Sequence, residues 1–182
     1  MVIYVKRSDM DEDVVELIKL FMSEASQKVN LKKGLGKNPN PETYDKAVGL
    51  VEVMVPFEAF INTLQPSEWR IWKKRGFFCS TYEDFFVEFK DSCKDWIDSL
   101  FEELKDHQLI DMTPPPKRRD PIKINDKDNL SELIEVIYRV RSNIVHGNKT
   151  LSSVRNQTLI INSFHLIYSI LDHILRKEEI IT

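Results

Sequence analysis

The chain has 182 residues, 42% of them hydrophobic and 30% charged, so it is long and apolar enough to bury a core without metal or disulfide support. A formal net charge of −3 excludes broad, charge-driven nucleic-acid binding, which needs a surplus of Lys and Arg on one face; any contact with RNA has to be local. Cys79 and Cys93 form no CxxC pair and predict two reduced thiols, and the start Met1-Val-Ile-Tyr-Val-Lys-Arg7 has too short an apolar run for a signal peptide or membrane span, so the expectation is one cytoplasmic domain over 1–182 with no membrane association.

From Asp11 to Val29, the residues Val14, Leu17, Ile18 and Phe21 recur at helical spacing, with Ser8 or Asp9 as the expected cap above an acidic first turn. Residues 32–41 hold two glycines and two prolines and read as a loop. Gly34 and Gly36 before Lys37 are no phosphate cradle, because Asn38 stands where a P-loop needs Ser or Thr. From Glu42 the residues Ala47, Leu50, Val51, Met54, Phe57, Phe60, Ile61 and Leu64 trace one stripe, which Pro56 is expected to kink or divide. Residues 65–78 are basic and aromatic; Trp69 and Trp72, three apart, read first as core or interface residues, with base stacking as the rarer use.

Ser80 or Thr81 then reads as the cap of a long helix whose buried face runs from Phe85, Phe86 and Phe89 through Cys93, Trp96, Ile97 and Leu100 to Phe101 and Leu104. A proline-rich basic loop follows at 111–129, with Pro114 to Pro116 and Lys117-Arg118-Arg119. Ser131 is the expected cap of the next helix, lined by Leu133, Ile134, Ile137 and Val140, and Ser152 or Ser153 opens the last, which ends on Arg176 and Lys177. The expected fold is therefore all-α, an antiparallel bundle of about five helices. Three short basic stretches are candidates for local RNA contact: Lys28 with Lys32, Lys33 and Lys37; Arg70 with Lys73, Lys74 and Arg75; and Lys117 to Arg119.

One constellation carries chemistry. Arg139-Val-Arg-Ser-Asn-Ile-Val-His-Gly-Asn-Lys-Thr150 sets two arginines, an asparagine and a histidine at the end of a helical pattern that Gly147 stops. Residue types alone fit an ordinary helix C-terminus, with His146 complementing the dipole and the arginines facing solvent. The same residues also fit metal-free RNA cleavage. Histidine titrates near ~6.5 and can move a proton, while arginine offers a planar fork to two phosphate oxygens. Metal chemistry is not expected, because His165 and His173 are off-register for a shared ligand face and His107 stands alone. Neither cysteine has a neighbour in sequence that would activate it.

Arg141-Ser-Asn-Ile-Val-His146-Gly resembles the motif of the HEPN superfamily of small helical proteins, in which an arginine is followed after four to six residues by a histidine, often with glycine next. Four residues intervene here, Asn143 supplies the usual polar residue between them, and Gly147-Asn-Lys149 continues the pattern, at the end of one helix just before the last. The resemblance is sharp over about twenty residues and architectural over the rest.

It implies a metal-independent endoribonuclease without cofactor, in many members a toxin or antiviral defence effector, acting as a homodimer whose motifs meet at the interface. Arg141 would hold the scissile phosphate, His146 would serve as general acid or base, Asn143 would orient one of them, and Arg139 and Lys149 would assist substrate binding. One subgroup carries a tyrosine two positions after the histidine and pairs with a nucleotidyltransferase antitoxin. Asn148 stands there, so the resemblance does not extend to that subgroup, although an antitoxin protein remains a partner it allows. The other readings are a non-catalytic module that binds RNA, nucleotide or protein in the same cleft, and a helical dimerisation protein.

Geometry poses a difficulty. Residues five apart on an ideal helix point about 140° away from each other, so Arg141 and His146 do not share a face, whereas Arg139, Asn143 and His146 nearly do. Either the helix loosens before Gly147 or the site is completed across a dimer. Which of Arg139 and Arg141 meets the phosphate stays open at this point.

Overall fold

A computed structural model describes residues 10–29, 41–64, 69–110, 120–145 and 153–181. Among these the fold is all-α. Its helices are α1 (Glu12–Val29), α2 (Pro41–Thr63), α3 (Ile71–Phe89), α4 (Lys94–Lys105), α5 (Leu130–Val145) and α6 (Val154–Lys177), with a 3₁₀ turn over Lys90–Cys93 joining α3 to α4. The buried apolar residues form one cluster drawn from every helix. α6 is its axis, packing on α1, α2, α4 and α5. That helix is long and apolar enough by composition to cross a membrane, yet Leu159, Phe164, Ile167, Ile170, Leu171 and Ile174 are spent on the core.

Several expected boundaries shift, each for a local reason. Asp11 caps α1, its Oδ1 accepting the Asp13 N–H at 2.9 Å, and the expected caps Ser8 and Asp9 lie outside the described residues. The buried face of α1 is Val15, Ile18, Met22 and Ala25, rotated by one residue from the expected stripe, and Leu17 is exposed. α2 runs unbroken through Pro56, which therefore does not divide it; Phe57 beside it packs edge-on against Phe78 with centroids 4.9 Å apart. Burial on both sides outweighs the one lost backbone donor.

α3 starts nine residues before the expected cap. Ser80 and Thr81 sit inside it and donate their hydroxyls back to the Phe77 carbonyl at 3.0 and 2.8 Å, so they cap nothing. The expected single long helix is split by the turn at Lys90–Cys93, which lets Phe89 and Ile97 both stay buried. Asn129 takes the capping role expected of Ser131, its Oδ1 accepting the Glu132 N–H at 3.1 Å. Glu132 in turn accepts the N–H groups of Asn125 and Asp126; burial would raise its pKa, but these bonds outweigh it and hold the carboxyl below its ordinary value.

Between α4 and α5, Leu109 and Ile122 form an isolated antiparallel bridge, with N–H to O distances of 2.6 and 3.1 Å. α6 ends in a Schellman motif. Glu179 takes a φ of 57°, while the Glu179 and Ile180 N–H groups return to the Arg176 and Leu175 carbonyls and Ile180 folds under as the apolar lid.

Both histidines of α6 are stacked into the packing. His173 lies flat on Phe89 at 4.4 Å and His165 on Trp96 at 5.3 Å. Burial, aided by the nearby Lys46 charge, pushes the His165 imidazole down to about 4 from 6.5. The folded ring therefore stays neutral where the unfolded one takes up a proton. This contribution to stability is complete above pH 6.5 and lost as the pH falls from 6.5 toward 4. His165→Phe keeps the stack and removes the titration, so its melting temperature should fall less than that of the parent between pH 7 and 4; parallel melting curves would refute the assignment.

Candidate functional site

α5 brings the motif to one corner of the bundle. It ends at Val145 and α6 begins at Val154, so His146 is the first residue past the described end of α5. His146 and Lys149 lie outside the described residues, as do the basic stretches at Lys32 to Lys37 and Lys117 to Arg119 and the glycines near Lys37.

The described motif residues fall on two sides of α5. Arg139 and Asn143, four apart, share the inward face and are 1% and 0% exposed. The Arg139 Nη1 donates to the Asp120 carbonyl at 2.9 Å and its Nη2 lies 3.6 Å from Glu135; the Asn143 Nδ2 donates to the Ile110 carbonyl at 2.9 Å. The two side chains thus fasten the chain at Ile110 and Asp120. Neither presents a polar atom to solvent. Arg139 Nη1 and Asn143 Nδ2 are thus engaged with backbone carbonyls inside the bundle.

Arg141 is turned about 200° from both on an ideal helix. It is partly exposed, and its Nε is buried without a hydrogen-bond partner among the described residues. Its charge is felt at Tyr138, one turn earlier. Burial pushes the Tyr138 phenol well above its ordinary range, with the Glu58 carboxylate adding to the rise and Arg75 and Arg141 opposing it. Glu58 approaches that hydroxyl without reaching hydrogen-bond geometry. On the other side of the Tyr138 ring the Arg75 guanidinium stacks at 4.1 Å, while its Nη1 pairs with Glu135 at 2.9 Å. One carboxylate, Glu135, thus meets two guanidiniums, while Glu58 stands on the Tyr138 side with Arg141.

A cleft of about 600 Å³ opens on the Arg139 and Asn143 side, with Ile110, Pro121, Lys123 and Arg155 in its lining. Arg155, in the first turn of α6, donates to the carbonyls of His107 and Gln108 at 2.8 and 3.5 Å and stands 3.8 Å from Glu103. Sequence reasoning missed Arg155 and Tyr138, and named Arg75 only as a member of a basic stretch. None of them stands in a motif, and their roles come from helices that meet only in the folded chain.

The thiols take no part in this corner. Burial pushes Cys79 up to about 12 and raises Cys93, which keeps both protonated and unreactive. Among the described residues no group of three or more His, Cys, Asp or Glu is placed to hold a metal ion. No protein-family model, curated protein or solved structure matches the chain.

Proposed function

We propose that the chain is a metal-independent endoribonuclease of the HEPN type, a toxin or defence effector acting on RNA in the cytoplasm, with Arg141 holding the scissile phosphate and His146 moving the proton. The observation that carries this reading is the arginine itself. Arg141 stands in the last turn of α5, partly exposed where Arg139 is buried, and five residues before the only histidine of the motif.

RNA brings its own nucleophile, the 2′-hydroxyl. The reaction needs a base to take the hydroxyl proton, an acid to protonate the departing 5′ oxygen, and a cation to hold the charge on the pentacoordinate phosphorus. His146 supplies the first or second of these and Arg141 the third. Arg139 and Asn143 act at one remove, fixing the last turns of α5 against residues 110 and 120. A homodimer pairing two such corners would bring one copy's histidine toward the other's arginine and resolve the 140° separation between them.

The test is incubation of purified protein with mixed RNA in EDTA, with mass spectrometry of the new ends. Ends bearing 2′,3′-cyclic phosphate are the expected product. Uncut RNA, or cleavage that needs added metal, would reject the reading and favour a non-catalytic RNA-binding module built on the same corner.

A further inference from the structure

Of the uses its sequence allows for Trp69 and Trp72, the start of α3 removes the core one. Trp69, Ile71 and Trp72 are 37%, 39% and 56% exposed, so neither tryptophan is a core residue. Lys73 sits between them, its Nζ 5.7 Å from the Trp69 ring centre and 5.6 Å from that of Trp72. Arg70 is exposed beside them. The other two cations of this stretch are engaged elsewhere: Lys74 is buried and donates to the Asn62 Oδ1 at 3.0 Å, and Arg75 pairs with Glu135. Large apolar groups left in water at neighbouring positions mark an interaction surface. Here two rings and two exposed cations alternate.

Helix register ties this surface to the motif. Cys79 of α3 faces Ser131 of α5, Arg75 pairs with Glu135, and Arg75 also covers Tyr138, so the two helices run antiparallel along this contact. Rising along α5 means descending along α3. One turn beyond Tyr138, at ~1.5 Å per residue, Arg141 comes level with the first turn of α3, where the tryptophans stand. A groove of about 210 Å³ runs from Trp72 past Gly76 to Cys79, Ser131 and Ile134, along the seam in the direction away from Arg141.

We propose that Trp69 and Trp72, with Arg70 and Lys73, form a stacking platform that takes unpaired bases of single-stranded RNA and leads the strand to Arg141. This inference rests on the ribonuclease reading and names its substrate class. Each base has a flat π-face that a ring can stack on whatever its sequence, while interleaved cations meet the phosphates. A duplex hides those base faces. A membrane would need a continuous apolar face, which Arg70 and Lys73 interrupt.

The experiment measures binding separately from cutting. On a His146→Ala background, affinity for a short fluorescein-labelled single-stranded RNA of mixed sequence is compared with that for the matching duplex and for anionic phosphatidylserine vesicles. Trp72→Leu and Trp69→Leu keep apolar bulk and lose the ring; each should weaken single-strand binding by about 5- to 150-fold, the range for one lost stack, while Trp72→Phe retains most of it. Lys73→Gln should lower the slope of log affinity against log salt by ~0.7. Both tryptophans are exposed, so unchanged melting temperatures are expected and establish that the variants fold. Leucine variants that bind the single strand as tightly as the parent would overturn the platform, as would equal duplex binding or a defect confined to vesicles. If the parent chain cuts RNA while the leucine variants bind it normally, the platform fails and the nuclease stands. If the leucine variants lose binding and no form cuts, the platform stands and the nuclease fails.

Discussion

Replacing His146 by alanine is expected to lower metal-free RNA cleavage by about 10²- to 10⁴-fold, the usual loss when a positioned general acid or base is removed. Affinity for uncut RNA should change little, because a group that acts on the proton in flight contributes mainly to the transition state. The pH profile separates this from a structural defect. A catalytic imidazole gives the parent a rate that bends near its own titration, around ~6.5 when unperturbed, and that bend should vanish from the residual activity of the variant. Equal cleavage by parent and variant would point to a contaminating nuclease and remove His146 from the mechanism. The assay is paired with His107→Ala, because His107 is exposed in the lining of the cleft beside Arg155, whereas His165 and His173 are stacked on Trp96 and Phe89.

The second large effect distinguishes two arginines that the sequence presents as equivalents. Arg139→Met should cost about 1–3 kcal/mol of folding stability, below the 3–5 of a fully buried ion pair, because Glu135 is partly exposed and keeps Arg75 as a partner. For a chain of this size, that shift corresponds to a fall in melting temperature of roughly 3–10 °C. Methionine fills most of the aliphatic space but cannot donate to the Asp120 carbonyl, so the anchor of the proline-rich loop is what fails. Arg141→Met should leave melting within about 2 °C and instead lower cleavage by about 10²- to 10³-fold, as expected when a donor to a developing phosphate charge is lost. Thermal melts and single-turnover rates on the same two proteins give both readouts. A reversed pattern, with Arg141→Met unstable and Arg139→Met inactive at unchanged stability, would exchange their roles.

The holding role of Arg139 and Asn143 bears on mechanism in another way. A reacting phosphate tolerates misplacement poorly, and a helix that ends at a solvent corner would fray. Two buried donors, pinned to the carbonyls of Asp120 and Ile110, keep the last turns of α5 in place while leaving Arg141 on the open side.

Helical periodicity in the sequence determined that the described fold is all-α and placed α2, α5 and α6, since their stripes depend only on neighbours within one turn, but it missed the start of α3 and ran α3 and α4 together. It also isolated the Arg and His segment at the end of α5, because those residue types need no partner to be recognised. What it could not decide was direction. The face of α1 turned by one residue, Pro56 was absorbed within α2, and Ser80 and Thr81 bonded backward inside α3 instead of capping it, each a choice made by packing against a helix distant in sequence.

The same limit governs the site. Arg139 and Arg141 are two residues apart and look alike on paper, and only the tertiary structure buries the first against Asp120 and Glu135 and leaves the second beside Tyr138. Trp69 and Trp72 carry the apolar area of core residues. Yet at the start of α3 both stand exposed among the described residues. Periodicity is a property of one helix, whereas burial depends on which faces meet, and that is fixed by long-range packing alone.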